Sequence, residues 1–457
     1  MIRRTGLGMT YHDADSKIDS GGLVQHGHAR HGEIMRLKIL SSMTFTLSLY
    51  AAAAGAQFLH YTPPGGPEEE TETRREALER DLQEARFHLG PVLWDPLITL
   101  RDVAYVRNFF ATGDEPPDDF SATAGLGLRA FLRNGPKATW TARVLPEYVW
   151  WAKQEERRRL NGTYRLGFNG YFNRLTVEAE AGRQQQQEIV TPEVPIPVSA
   201  RRDGGKVLLE LRLTGATSVF TAVSVERQDV LAEDLSNPGF LQLAQLDREE
   251  RVVRAGLRWR PREPWTIGLG AEASEVDFDS GTLDRSNSGT APVAEVRFDG
   301  NRLRVRADVA FRSLEAEPGA LFLPYERVTG GASVSLRAGQ VLTPGVYFSR
   351  GLVYPLSPDY AYTEDERLGA SLTIALGRRT QARAFAETGT QDYTAFSALT
   401  PEREDDVSSY GGSFTFGLTR NLTLDIRAAR SRYDANLPGA DRSYTTAGAT
   451  INLFGLP

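Results

Sequence analysis

Acidic and basic side chains recur at alternate positions through most of this chain, and two kinds of chemistry follow from that spacing. Glu178, Glu180, Glu210, Glu226, Glu272, Glu295 and Glu387 lie in segments where every second residue is apolar. Such residues share one face of an extended ribbon. Two carboxylates held across a cleft can cleave a glycosidic bond. The same segments carry Arg143, Arg212, Arg254, Arg258, Arg297, Arg302, Arg304, Arg306, Arg367, Arg383 and Arg427, with Glu147, Asp308 and Asp425 among them. Opposite charges facing one another across strands form ladders that stiffen a wall and narrow the space it encloses. Charged inward residues are ordinary in β-barrels, so a structural role is the expected one for the acids. Arg302, Arg304 and Arg306 make the densest run. They fit a ladder neutralised by Glu295 and Asp308, which is the favoured reading, or a stripe that draws anions as charged rings do in pores.

Other chemistries lack their residues. All six histidines (His12, His26, His28, His31, His60, His88) come early, and none falls in the alternating segments. A serine nucleophile in those segments would have no imidazole base, and a histidine metal site there would have no ligands. With no cysteine there is neither thiolate chemistry nor a disulfide scaffold. No enzyme activity and no cofactor are expected.

The elements that must position these side chains are strands. Leu303, Val305, Ala307, Val309 and Phe311 alternate with Arg302, Arg304, Arg306, Asp308 and Arg312, giving a ribbon with one apolar and one charged face. Val207 to Leu213, Val253 to Trp259, Leu368 to Leu376 and Leu422 to Ala428 repeat the pattern. About eighteen strands can be placed from about Leu97 onward. Short connections of turn-forming residues fall at Asn134-Gly135, Asn173, Thr214-Gly215, Pro261 to Pro264, Asp299-Gly300, Gly339-Gln340, Gly377 to Thr380 and Arg420-Asn421. They alternate strictly with long polar ones at 111–119, 152–158, 185–203, 229–248, 278–288, 315–324, 354–364, 392–406 and 434–441. A soluble sandwich has no reason to alternate so. A single all-β, antiparallel, up-and-down transmembrane barrel over 96–457 does, with apolar residues toward lipid, polar residues toward the lumen and both termini periplasmic. Trp150, Trp259, Trp265, Tyr347, Tyr410 and Phe454, near proposed strand ends, suit the aromatic girdles of the two membrane interfaces. A mean hydropathy of −0.36 accords with this class, since half of every strand is polar.

Residues 35–56 have the anatomy of a secretory signal peptide: a basic start at Arg36 and Lys38, an apolar core from Ile39 to Ala54, and small residues Ala54-Gly55-Ala56 before Gln57. Residues 1–34 fit no export signal and are expected to be an extension upstream of the true start at Met35. Removing 1–56 takes away six basic and four acidic side chains, so the formal charge passes from −6 to −8, which argues against a nucleic-acid partner. Residues 57–95 read as a periplasmic linker and a charged helix from Glu68 to Arg86 with a thin apolar stripe (Ala77, Leu78, Leu82, Ala85). A solvated leader is the expectation; a lumen plug and a docking helix for a periplasmic partner are the alternatives. Acidic clusters in the long connections (Asp114, Glu115, Asp118, Asp119; Asp277, Asp279; Glu402, Glu404, Asp405, Asp406) read as solvated, or as carboxylates bridged by divalent cations to lipopolysaccharide.

At its end the chain resembles bacterial outer-membrane β-barrel proteins. Their last strand often carries a polar residue, a glycine two later and hydrophobic residues three and five beyond it; here these are Thr446, Gly448, Ile451 and Leu453, followed by Phe454. In that family this strand is the address read by the barrel-assembly machinery. Gly455-Leu456-Pro457 follows the aromatic here, whereas the family usually ends on it. The layout of signal peptide, polar leader and one large barrel is similar to uncharacterised porin-like barrels encoded with exopolysaccharide machinery. The resemblance implies a channel in the outer membrane, among lipid and lipopolysaccharide, for small hydrophilic solutes or a saccharide. A closed structural or assembly barrel that holds a periplasmic partner through the 68–86 helix is the alternative.

Overall fold

The computed structural model describes residues 74–454, apart from 107–118, 189, 192, 194–197, 232–242, 280–282, 378 and 420–421. The proposed upstream extension, signal peptide and linker lie outside the described residues. Among the described residues a helix, α1 (Arg74–Glu84), comes first, then a short strand β1 (Phe87–Leu89) that folds back on β2 (Val92–Val106). Next are β3 (Asp119–Asn134), β4 (Ala138–Trp151), β5 (Arg159–Tyr171), β6 (Leu175–Glu188), β7 (Val198–Arg212) and β8 (Thr217–Leu231). The chain continues through β9 (Arg248–Trp259), β10 (Trp265–Phe278), β11 (Asn287–Asp299), β12 (Leu303–Ala316), β13 (Tyr325–Leu336) and β14 (Leu342–Val353). It finishes with β15 (Tyr360–Ala375), β16 (Thr380–Ala395), β17 (Arg403–Gly417), β18 (Leu422–Ala435) and β19 (Arg442–Phe454).

Each strand from β2 to β19 pairs antiparallel with its sequence neighbours, and β19 pairs with β2, so eighteen strands close into a barrel. Every short connection falls at one end and every long one at the other, as their spacing predicts. Asn134-Gly135 shows why the short ones are tight: Gly135 has φ +74°, which only a residue without Cβ adopts cheaply. The closing seam pairs only Leu97–Leu100 with Ile451–Phe454. Beyond it the register of β2 shifts between Arg101 and Ala104, where Asp102 has φ +53°.

The two faces of the wall are chemically distinct. Val309 and Phe311 are 46% and 48% exposed, on the outer side of β12. Leu126, Leu166, Leu257, Leu269, Val346 and Leu368 are likewise exposed on the outside of their strands. Among the described residues, no second layer covers them. A soluble protein does not leave an apolar band of that extent in water, whereas a membrane barrel must present one. Aromatic pairs lie at both rims of the band: Trp140 with Phe168 at 4.9 Å and Trp265 with Phe298 at 4.8 Å toward the short turns, Phe120 with Trp150 at 6.1 Å toward the long loops.

Several boundaries differ from the sequence expectation. The first barrel strand begins at Val92, through Pro96. That proline sits between the residues paired with β1 and those paired with β19, where no ladder bond is required of its nitrogen. The connections expected at 185–203 and 392–406 shrink because β6, β7, β16 and β17 continue as ladders. Gln184–Gln187 pair with Ser199–Arg202, polar on both faces, so alternation is lost although pairing persists. Tyr347 is not in a girdle. Its ring faces the lumen, where its hydroxyl donates to Glu387 at 2.9 Å, and it lies so close over Gly369 that a Cβ there would stand 2.2 Å from the ring. Asp119 and Asp405 are buried rather than solvated loop acids.

Candidate functional site

The candidate site is the lumen. Its wall is built by the even or odd positions of each strand, whichever the apolar outer face leaves over. At the short-turn end, α1 packs against that wall: Leu78, Leu82 and Ala85 meet Phe131 of β3, Leu93 of β2 and Tyr171 of β5. Asp81 pairs with Arg129 at 2.9 Å, and Arg129 also reaches Asp95 at 3.2 Å. The guanidinium of Arg75 lies 5.4 Å from the centre of the Tyr171 ring. The apolar stripe is therefore covered, and the helix is a lumen element rather than a solvated leader. Glu68 to Thr71 lie outside the described residues.

The predicted lumen residues fall on the inner face, largely as ion pairs. Arg101 grips Glu147 with two parallel bonds of 2.8 Å. Glu210 receives Arg258 at 3.0 Å, Arg260 at 2.8 Å and the Ser218 hydroxyl at 2.7 Å. Arg258 also reaches Glu295 at 2.7 Å, with Arg297 at 3.6 Å from the same carboxylate. Glu272 is shared by Arg254 at 2.6 Å and Arg312 at 2.8 Å. Arg165 stands 3.7 Å from Glu180, and Glu178 accepts the Tyr171 hydroxyl at 3.0 Å. Arg143 lies in register between Arg129 and Arg165. Arg212 is exposed on the inner face near the turn after β7. Asp425 pairs with Arg427 and accepts the Thr415 hydroxyl at 2.7 Å. Glu210, Glu272 and Glu295 are thus held by arginines, as a ladder requires.

Arg302, Arg304, Arg306 and Arg383 belong to a different surface. They line a cavity of about 430 Å³ at the short-turn end between β12 and β16. Asp308 lies further up, on a second cavity of about 530 Å³ lined by β7 to β14 and by the connection before β7.

The long-loop end is crossed by the connections themselves, which sequence patterning does not reveal. Glu193, between β6 and β7, accepts hydrogen bonds from Arg403 on β17 at 3.3 Å and from the Leu356 amide. Trp151, Val198, Val230, Leu243 and Leu246 pack with Leu356, which joins connections from both sides of the barrel. Arg285, between β10 and β11, is wholly buried and donates to the carbonyls of Pro355 at 2.7 Å, Ser357 at 2.7 Å and Tyr360 at 3.0 Å. Burial pushes its pKa down to about 10. Nearby on the wall, Asp405 holds Arg403 at 2.9 Å and Arg442 at 2.6 Å, and Arg367 holds Asp365 at 2.6 Å. A lone arginine between Asp284 and Ser286 carries no sequence signal for such a role; only the carbonyls it meets define it.

Of the C-terminal motif, Thr446 is buried on the inner face, while Ile451 and Leu453 sit opposite Leu100 and Ile98 on the outer face across the seam. Gly448 pairs with Arg427 of β18, and Phe454 with Leu97 of β2.

No protein-family model matches the chain, and no curated protein does. Solved structures do. OccK3 (OpdO) from Pseudomonas aeruginosa is 12% identical with a TM-score of 0.45, covering 79% of this chain and 95% of that one. OccAB3 from Acinetobacter baumannii is 10% identical with a TM-score of 0.45, covering 79% and 98%. The FrpB iron transporter from Neisseria meningitidis (F5-1 variant) is 8% identical with a TM-score of 0.43, covering 79% and 66%.

Proposed function

We propose that this protein is a porin-like channel of a bacterial outer membrane that passes small hydrophilic solutes. One observation carries the reading: a closed wall of eighteen strands, apolar outside, encloses a polar interior that retains cavities of about 430 Å³ toward the short turns and about 530 Å³ toward the long loops. In this reading the long loops face outward, the short turns and both termini face the periplasm, and β19 addresses the chain to the assembly machinery. Glu404 and Asp406, exposed on the outer face near the long-loop rim, would meet lipopolysaccharide phosphates through divalent cations. A saccharide related to exopolysaccharide is one solute this reading admits.

The second reading is a non-conducting structural or assembly barrel. It is favoured by α1 in one mouth and the connections crossing the other. With its apolar stripe on the wall, α1 would offer a periplasmic partner its charged face. Planar-bilayer recording of the folded full chain separates the two: stepwise conductance is expected of the channel. Stable insertion with no conductance, in the wild type and in a variant with α1 loosened, leaves only the closed barrel.

A further inference from the structure

The ladder between β13 and β14 stops halfway up the wall. It runs from Ser335 opposite Gly345 to Gly330 opposite Arg350 and no further. Above that level β13 stays paired with β12 as far as Tyr325, and β14 with β15 as far as Val353. Among the described residues, 325–329 and 351–353 thus form two edges with no ladder between them. The break begins at Gly330, whose φ of +150° favours a residue without Cβ. Around Gly351 the space is open: a Cβ there would meet no heavy atom within 4 Å. Two side chains run through the break. Arg350 faces outward by its register, opposite Glu366 and two positions above the Phe348–Leu368 pair, yet it lines the 530 Å³ cavity of the lumen. Arg327 faces inward, opposite Arg312, yet its Nε donates to Glu364 at 3.1 Å, and Glu364 stands on the outward face of β15. Glu364 also accepts Arg350 at 2.6 Å. An inward residue of β13 reaches an outward one of β15 because β14, between them, has parted from β13.

From this geometry we infer that the break is a lateral portal, through which an uncharged single-chain amphiphile passes between the leaflet at the long-loop end and the 530 Å³ cavity. The cavity has the two-sided lining that such a molecule needs. Val252, Val276, Leu314 and Leu352 give it an apolar part that a purely aqueous passage does not require, and Ser274 and Gln228 can bond to hydroxyls. Its arginines are already held by carboxylates, as Arg248 is by Glu250 at 2.6 Å and Arg254 and Arg312 are by Glu272, so the lining suits a neutral head. On the outside the break opens where the apolar band ends. Val346 and Leu368, 54% and 58% exposed, lie below it, and Arg350, Glu364 and Glu366 lie at and above its lower edge. An amphiphile at that border has its chain beside the band and its head level with the opening. Unpaired strand edges are untenable in hydrocarbon but tolerable at headgroup depth, where water reaches them. The Arg327–Glu364–Arg350 contacts span the opening as a latch.

Photolabelling of the full chain in phospholipid vesicles tests this, with a monoacylglycerol that carries a diazirine in its acyl chain. Peptide mapping is expected to find adducts at the outward Val309 and Phe311, as for any lipid, and also at the inward Val252, Val276 and Leu314. Val328 and Leu352 are the positions that would pair if the ladder ran on past Gly330 and Arg350. The chain has no cysteine of its own, so V328C/L352C can form only the disulfide that closes the break. Oxidation of that variant is expected to abolish the inward adducts and reductant to restore them. Gly351→Phe, which fills the open space on the inner side, is expected to abolish them without a disulfide. Outward adducts in the same samples report that each variant is folded and inserted. Adducts confined to the outward residues in the wild type overturn the portal. Inward adducts that persist under both closures overturn it too, since the amphiphile then enters by a mouth. Neither result depends on conduction, so the channel reading stands or falls separately.

Discussion

Glu193, in the connection between β6 and β7, meets Arg403 of β17 at 3.3 Å although β7 and β17 stand on opposite walls. From β7 to β17 is ten strands one way round and eight the other, so the connection after β6 must cross the lumen to make the contact. The same carboxylate takes the Leu356 amide, tying the crossing connection to the one before β15. Glu193→Ala removes both anchors at once. Charge-assisted bonds of this kind contribute about 1.5–3 kcal/mol each when desolvated. The expected outcome is a wider constriction, read as a rise in single-channel conductance of roughly twofold, with unchanged barrel strand content by circular dichroism. Unchanged conductance would place the constriction elsewhere.

Asp247 gives the long-loop end a pH dependence with a definite sign. It accepts the Val230 amide at 2.6 Å, and burial, with Asp229 and Asp279 nearby and Arg227 opposing, raises its pKa from 3.8 to about 6. A carboxyl with a raised folded pKa binds a proton more tightly in the fold than in the unfolded chain. It therefore costs stability above pH 6, and the cost disappears as pH falls from 6 to 4. Protease protection of the connection between β8 and β9 is expected to rise from pH 7.5 to pH 5. Asp247→Asn, which keeps an acceptor without the charge, is expected to flatten that difference and to resemble the wild type at pH 5. A slope that survives the substitution would belong to other carboxylates.

Much of the wall was legible because its rule is local. Period-two alternation reports a face directly, and Asn134-Gly135 or Thr214-Gly215 report a turn through backbone geometry. Legibility failed where a property belongs to the closed ring. Tyr347 reads in the sequence as a girdle aromatic near a strand end, but it falls in the middle of β14, and its parity and the bare Cα of Gly369 place its ring inward. Glu295 reads in the sequence as a neutraliser of Arg302–Arg306, but its carboxylate lies over the bare Gly268 of β10 and pairs with Arg258 across it, and with Arg297. Glu193 and Arg285 lie in connections with no periodicity, and their partners are 210 and 70–75 positions away. The helix was visible, but its burial was not: a stripe of Leu78, Leu82 and Ala85 says nothing of Phe131 until the barrel closes around it.

The outer face of β12 provides a direct test of the membrane assignment. Val309 lies in the middle of the strand and faces outward, beside Val305 and Phe311. Arginine at the bilayer midplane of a barrel costs about 2–4 kcal/mol, and inward substitutions cost far less. Val309→Arg is expected to lower the unfolding free energy in vesicles by that amount in a denaturant titration. Ser274→Arg, on the lumen side of β10, is expected to change it by under about 1 kcal/mol. Equal costs at the two positions would mean that Val309 does not face lipid.

The placement of α1 predicts that the helix narrows the short-turn mouth. Its hold on the wall is a small apolar cluster and the Asp81–Arg129 pair at 2.9 Å, with side chains partly open to water. Pairs of that exposure contribute about 0–1 kcal/mol, so the leucines supply most of the attachment. Leu78→Asp with Leu82→Asp replaces the buried methyls by carboxylates that cannot be left unpaired against Phe131. The helix is expected to leave the wall while the barrel remains folded, since no ladder bond involves residues 74–84. Trypsin should then cut at Arg75 and Arg80 in the folded protein, and single-channel conductance should rise. Cleavage without a rise in conductance would show that the helix docks there but lies beside the conduction path, and that the long-loop connections alone set the resistance.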